Sequence, residues 1–125
     1  MTQRRLLEER YEQGIELLLE ISEDGVPIVV EGIKDVATLR HIGLSGPIIT
    51  LVGQSIVALA DKLADFDRLL ILFDFDRQGK RLTKKLTEQL QGRGIIIMED
   101  IRQTLQHAFS WHTRVIEGLK KDVPQ

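Results

Sequence analysis

Four short apolar runs, separated by stretches of helical length, constrain this chain more than any other feature. They are Pro27-Ile28-Val29-Val30, Ile48 to Val52, Leu69 to Phe73 and Ile95-Ile96-Ile97. Runs of this length bounded by turn residues read as strands buried on both faces. The first ends at Glu31-Gly32. The third, from Arg68, runs into Asp74-Phe75-Asp76. Between the runs lie helices over about 33–42, stopped by Gly43, and about 78–91, stopped by Gly92 and Gly94. Between these two, Ile56, Leu59, Ala60, Leu63 and Ala64 match the amphipathic template.

A further helix over 3–21 presents Leu7, Tyr11, Ile15 and Leu18 on one stripe, weakened by Gly14. Asp100 and Gln103 have capping-box spacing, and a helical tail continues to about Lys120 with a break near Ser110. This alternation predicts an α/β fold. A four-stranded, mainly parallel sheet carries helices on both faces, with right-handed crossovers and extra N- and C-terminal helices. The 125 residues suit one domain, 1–125, with a core over 26–98, an N-terminal helix within 1–24 and a C-terminal helical extension over 99–125.

The chain has no cysteine, which excludes disulfides and thiolate metal sites. No apolar run approaches the roughly 20 residues of a membrane helix, and the N-terminal MTQRRLLEERYEQ is too charged for a signal-peptide core. A cytoplasmic protein is expected. The net charge of −2 excludes a uniformly basic nucleic-acid binder. Residues 77–93, however, set Arg77, Lys80, Arg81, Lys84, Lys85 and Arg93 against Glu88 alone. Such a cluster can neutralise phosphates, and it is also the ordinary make-up of a solvated helix face.

Open α/β sheets bind ligands outside the carboxyl ends of their strands. The strand ends here supply Glu31-Gly32, Gly53-Gln54-Ser55 and Asp74-Phe75-Asp76. If the first and third strands are neighbours, Glu31, Asp74 and Asp76 converge. Carboxylates with no His or Cys nearby suit Mg²⁺, or Mn²⁺ in its place. A single acid at a strand end is more often a helix cap. A carboxylate abutting a buried strand is costly unless paired or metal-bound, which favours the functional reading for the set. Gly32 would allow close backbone approach, and the free N–H groups after Gly53 and Ser55 could receive a phosphate.

The segment IVVEGIKDVATL, followed some forty residues later by LLILFDFDRQGKRL, resembles the Toprim domain. That Rossmann-like domain is shared by bacterial-type primases, topoisomerases of types IA and II, OLD-family and RecR-like repair proteins, and the endoribonuclease that matures 5S ribosomal RNA. The resemblance covers about residues 26–98. It implies that Glu31 is a general acid or base and sometimes a metal ligand, that Asp74 and Asp76 bind Mg²⁺, and that Asp35 matches the aspartate of the primase form, Glu-Gly-x-x-Asp. Asp76-Arg77-x-Gly79 matches topoisomerases and the rRNA-maturing enzyme. Lys80 stands where type IA topoisomerases carry a glutamate, and the only tyrosine, Tyr11, falls on an apolar stripe. A topoisomerase is therefore disfavoured.

The expectation is a small Mg²⁺-dependent protein acting on nucleic-acid phosphodiesters, a nuclease on RNA or DNA. Lys34, Arg77, Lys80, Arg81, Lys84 and Lys85 are its candidate backbone contacts. The alternative is a non-catalytic binding or assembly module, or a primase-like subunit needing a partner. The absence of G-x-x-x-x-G-K-[ST] argues against a P-loop NTPase. Asp-Phe-Asp on the third strand rather than the first argues against a dehalogenase-type phosphatase. His107 and His112 share no helix face suited to zinc. Phe109 and Trp111 are expected to pack rather than to stack bases.

Overall fold

The apolar runs form strands β1 (Ile28–Val30), β2 (Ile48–Thr50), β3 (Arg68–Ile71) and β4 (Ile96–Ile97). The periodic segments form helices α1 (Gln3–Glu23), α2 (Ile33–Ile42), α3 (Ile56–Leu63), α4 (Arg77–Leu90) and α5 (Glu99–Phe109). A computed structural model provides the coordinates and describes residues 2–124. The sheet is wholly parallel, in the order β2-β1-β3-β4, with Val29 paired to Ile49 on one side and Ile71 on the other. Over the described residues the chain is an α/β fold of four parallel strands and five α-helices.

Strand alternation divides the core in two. Ile28, Val30, Leu70 and Leu72 pack with α1, α2 and α5 through Tyr11, Leu18, Leu39, Leu105 and Phe109. Val29, Leu69, Ile71 and Phe73 pack with α3 and α4 through Leu59, Leu63, Leu86 and Leu90. Helices thus cover both faces, and every residue of β1 is buried.

Two expectations are corrected, and the helix cost of Gly14 gains its reason. A Cβ at Gly14 would lie 2.8 Å from the Phe109 ring and 2.9 Å from Ala108 Cβ. Its missing side chain lets α5 pack closely on α1. Asp100 is not the cap of α5. The helix starts at Glu99 after Met98, which makes no side-chain capping bond, and Asp100 sits in its first turn. The tail breaks at Ser110 as expected but does not resume as an α-helix to Lys120: α5 ends at Phe109, and among the described residues only a 3₁₀ turn, Ile116–Gly118, follows. The aromatic residues explain the early stop. Phe109 is buried edge-on to Tyr11 at 5.2 Å, and Trp111 and His112 pack edge-on to the same ring at 6.1 and 5.7 Å. An unbroken helix would not turn all three toward Tyr11. Among the described residues no helix is long and apolar enough to cross a membrane.

Candidate active site

The strand order reverses direction between β1 and β3, because the chain leaves β1 toward β2 and returns on its other side. This is the switch point at which doubly wound sheets open a crevice. Glu31 leaves β1 there, and Asp74 leaves β3 beside it. The Asp74 N–H donates to Glu31 Oε2 at 2.8 Å, joining residues 43 apart in sequence.

Burial pushes the Glu31 carboxyl from its usual 4.5 up to about 6. The Asp74 N–H opposes this rise, while the negative charges of Asp74 and Asp76 add to it. Asp74 Oδ1 accepts the backbone N–H of Ile116 at 2.8 Å. Asp76 caps α4, its Oδ1 accepting from the Gly79 N–H at 2.8 Å. Each of the three acids therefore gives one oxygen to a backbone N–H, and the carboxyl groups of Glu31 and Asp74 also meet in a side-chain hydrogen bond that favours protonated Glu31. Among the described residues no three His, Cys, Asp or Glu side chains form a ready-made metal cage.

The neighbouring motif positions have structural partners. Asp35 is buried and caps α2 by accepting the Gly32 N–H at 3.0 Å. Burial raises its carboxyl, Gly32 opposes, and the charges of Asp74 and Glu117 add to the rise. Gly32 is extended, and a Cβ there would meet only Asp35 Oδ2 at 3.7 Å. Gly79 is different, because a Cβ would run into the Asp74 backbone carbonyl. Only glycine lets α4 begin so close to Asp74. Beyond β2, Gly53 takes a left-handed φ of 73° and Ser55 caps α3 through the Ala58 N–H at 3.1 Å.

Lys34 is exposed on the first turn of α2, and Arg77, Lys80, Arg81, Lys84 and Lys85 are exposed along α4. Lys80 and Lys84 form one wall of a cleft of about 450 Å³ whose opposite wall is Arg102, Gln103 and Gln106 of α5. Leu86 and Leu90 are buried and Leu82 half-buried, so the apolar stripe of α4 faces the sheet.

Two contributors escape a reading of the sequence. Arg102 is 8% exposed and donates to the carbonyls of Ile71, Phe73 and Asp74. Burial lowers its guanidinium to about 10, and the charges of Glu31 and Asp74 oppose that fall. Its one signal is a cation on the apolar stripe of Leu105 and Phe109. The Ile116 N–H has none, being a backbone group brought in by the tertiary fold.

The Toprim domain family matches residues 26–108. The chain belongs to that family. Action on nucleic acids with a divalent metal is the general character of Toprim domains. The chain is 33% identical over 116 residues to a UPF0292 protein of Methanocaldococcus jannaschii, across 90% of this chain and 91% of that one. It is 40% identical over 93 residues to a UPF0292 protein of Archaeoglobus fulgidus, across 74% and 73%. A solved structure described as a putative protein from Aquifex aeolicus superposes with a TM-score of 0.72 at 28% identity, covering 86% of this Toprim chain and 95% of that one.

Proposed function

We propose that this Toprim protein is a cytoplasmic, Mg²⁺-dependent nuclease whose working acids are Glu31, Asp74 and Asp76. The carrying observation is the Asp74 N–H···Glu31 bond at the β1/β3 switch point, which sets two acids from separate strands side by side. The donor set fits the ion. Mg²⁺ is commonly held by one or two carboxylates together with waters and substrate phosphates, so a preformed three-residue cage is not required. The charge crowding that helps raise the Glu31 carboxyl is what a divalent cation would relieve.

Glu31 and Asp74 would hold the ion, with Asp76 reaching it through the oxygen not committed to the cap of α4. Bound there, Mg²⁺ supplies charge neutralisation at the scissile phosphate and a lowered pKa for a water. Glu31, whose carboxyl burial biases toward its protonated form, would exchange a proton with the attacking or leaving oxygen. Lys80, Arg81, Lys84 and Lys85 hold the flanking backbone, with Lys34 and Arg77 nearer the strand ends.

The test is turnover of structured RNA, single-stranded DNA and duplex DNA by the full chain with Mg²⁺ or Mn²⁺. Cleavage of at least one substrate, abolished by chelation and lost in Glu31→Gln while binding persists, is the expected result. Tight binding with no metal-dependent cleavage of any substrate would replace the nuclease with a binding module.

A further inference from the structure

β4 has two residues, so β3 outruns it. The N–H groups of Ile96 and Met98 satisfy the carbonyls of Asp67 and Leu69 along the β3 edge. Carbonyls on one edge of a strand recur every second residue, so Ile71 and Phe73 come next. Beyond Met98 the chain has already turned into α5, and among the described residues no backbone N–H donates to them. Unsatisfied carbonyls there would be costly, and an uncovered edge is free to shift.

The side chain of Arg102 takes the place of the absent strand. Its Nη1 donates to Phe73 O at 2.6 Å and to Ile71 O at 3.3 Å, and its Nη2 to Asp74 O at 2.9 Å. The guanidinium lies 5.1 Å from the centre of the Phe75 ring. One planar group thus grips three acceptors and the residue after them. Lysine cannot reproduce this, since it has a compact point charge rather than a rigid fork of donors.

The structure assigns Arg102 the part of positioning residue for Asp74: through Phe73 O and Asp74 O it fixes the two peptides that flank the Asp74 Cα, one of which carries the Glu31-bound N–H. This rests on reading Glu31 and Asp74 as metal-holding acids. A purely structural edge cap would need only Ile71 and Phe73. The third bond falls on Asp74 itself, whose N–H is held by Glu31 and whose Oδ1 is held by Ile116. The aspartate is therefore restrained at its N–H, its carbonyl and its carboxylate, and of these three restraints the one from Arg102 comes from a cation. Groups that orient metal ligands typically change metal affinity by roughly 10–100-fold when removed.

The experiment compares the full-length wild type with Arg102→Lys and Arg102→Met. Mn²⁺ binding is followed by electron paramagnetic resonance, and amide exchange of Asp74 by NMR, with the Leu72 amide as internal reference. Leu72 donates to Val29, away from the Arg102 edge. Both variants are expected to bind Mn²⁺ at least about 10-fold more weakly, Met more so than Lys. The Asp74 amide should exchange faster relative to that of Leu72. If Arg102→Met does not fold, Arg102→Lys decides alone. Wild-type Mn²⁺ affinity and an unchanged Asp74-to-Leu72 exchange ratio in a folded variant, even one with a lower melting temperature, would overturn the assignment. A wild type that binds no Mn²⁺ overturns the metal reading instead, and the exchange ratio then still decides whether Arg102 positions Asp74.

Discussion

The Glu31 carboxyl is held between opposing pulls, and their balance is measurable. Burial and the charges of Asp74 and Asp76 favour its protonated form, while the Asp74 N–H favours the ionised one. The folded value near 6 lies above the usual 4.5, so the native state holds this proton more tightly than the unfolded chain. Stability contributed by Glu31 is therefore fully present below about 4.5 and is lost as pH rises through about 6. Glu31→Gln keeps an acceptor for the Asp74 N–H but removes the titration. In chelator-containing buffer, its melting temperature relative to wild type should climb between pH 4.5 and 6.5 and level off above. A difference that is flat across that window would show that Glu31 is not held protonated by the fold. At this scale the sequence is informative about which acids end strands, because an acid after an apolar run is conspicuous. It is silent about their partners: Ile116 lies 42 residues from Asp74 and Arg102 lies 28. Such bonds depend on tertiary contacts that no local pattern encodes.

The helices are legible from their period and the strands as continuous apolar runs, and the errors fall where these patterns stop deciding. The first apolar run starts at Pro27, whereas β1 begins at Ile28. The second and third runs extend to Val52 and Phe73, but β2 and β3 end at Thr50 and Ile71. Apolar residues can stay under the helices after pairing has ceased; Leu72 and Phe73 are fully buried yet outside β3. The sequence pattern starts α4 one residue late, because Arg77 carries no apolar marker, although Asp76 caps the helix. The apolar stripe of α4 faces the sheet, leaving Lys80, Arg81, Lys84 and Lys85 in solvent. Replacing these four by Gln should weaken nucleic-acid binding and flatten its salt dependence. The log–log slope should fall by about 0.7–0.9 for each phosphate that one of these side chains neutralises in the wild type. Mn²⁺ affinity should stay unchanged, since none of the four holds Glu31 or Asp74. Filter binding across a salt series checks this, and a variant that matches wild type at every salt concentration makes the patch a solvated face only.

Across the whole molecule, the segment after α5 joins both ends of the chain to the site. Arg114 O accepts the Phe75 N–H, Ile116 N–H donates to Asp74, and Thr38 of α2 donates to Glu117 O at 3.2 Å. Farther on, the Tyr11 hydroxyl both donates to Lys120 O at 2.7 Å and accepts the Lys120 N–H at 2.8 Å, and Arg4 donates to Pro124 O at 3.0 Å. Ile116 and Leu119 are buried in the same core as Tyr11 and Phe109. A detachable lid would bury little and lift away; this segment instead completes a core. Burying Ile116 and Leu119 contributes about 1.5–3 kcal/mol each, against a total stability of about 5–15 kcal/mol for a domain. Removing everything after Ser110 should therefore lower the melting temperature by at least about 10 °C, given several degrees per kcal/mol at this chain length. It should also weaken Mn²⁺ binding, because Asp74 Oδ1 loses the N–H that orients it. Calorimetry with a Mn²⁺ titration separates the two pictures. If the shortened chain melts within about 3 °C of wild type, well under the shift expected from the buried area, and binds the ion more tightly, the segment is a lid over the acids rather than part of the structure that holds them.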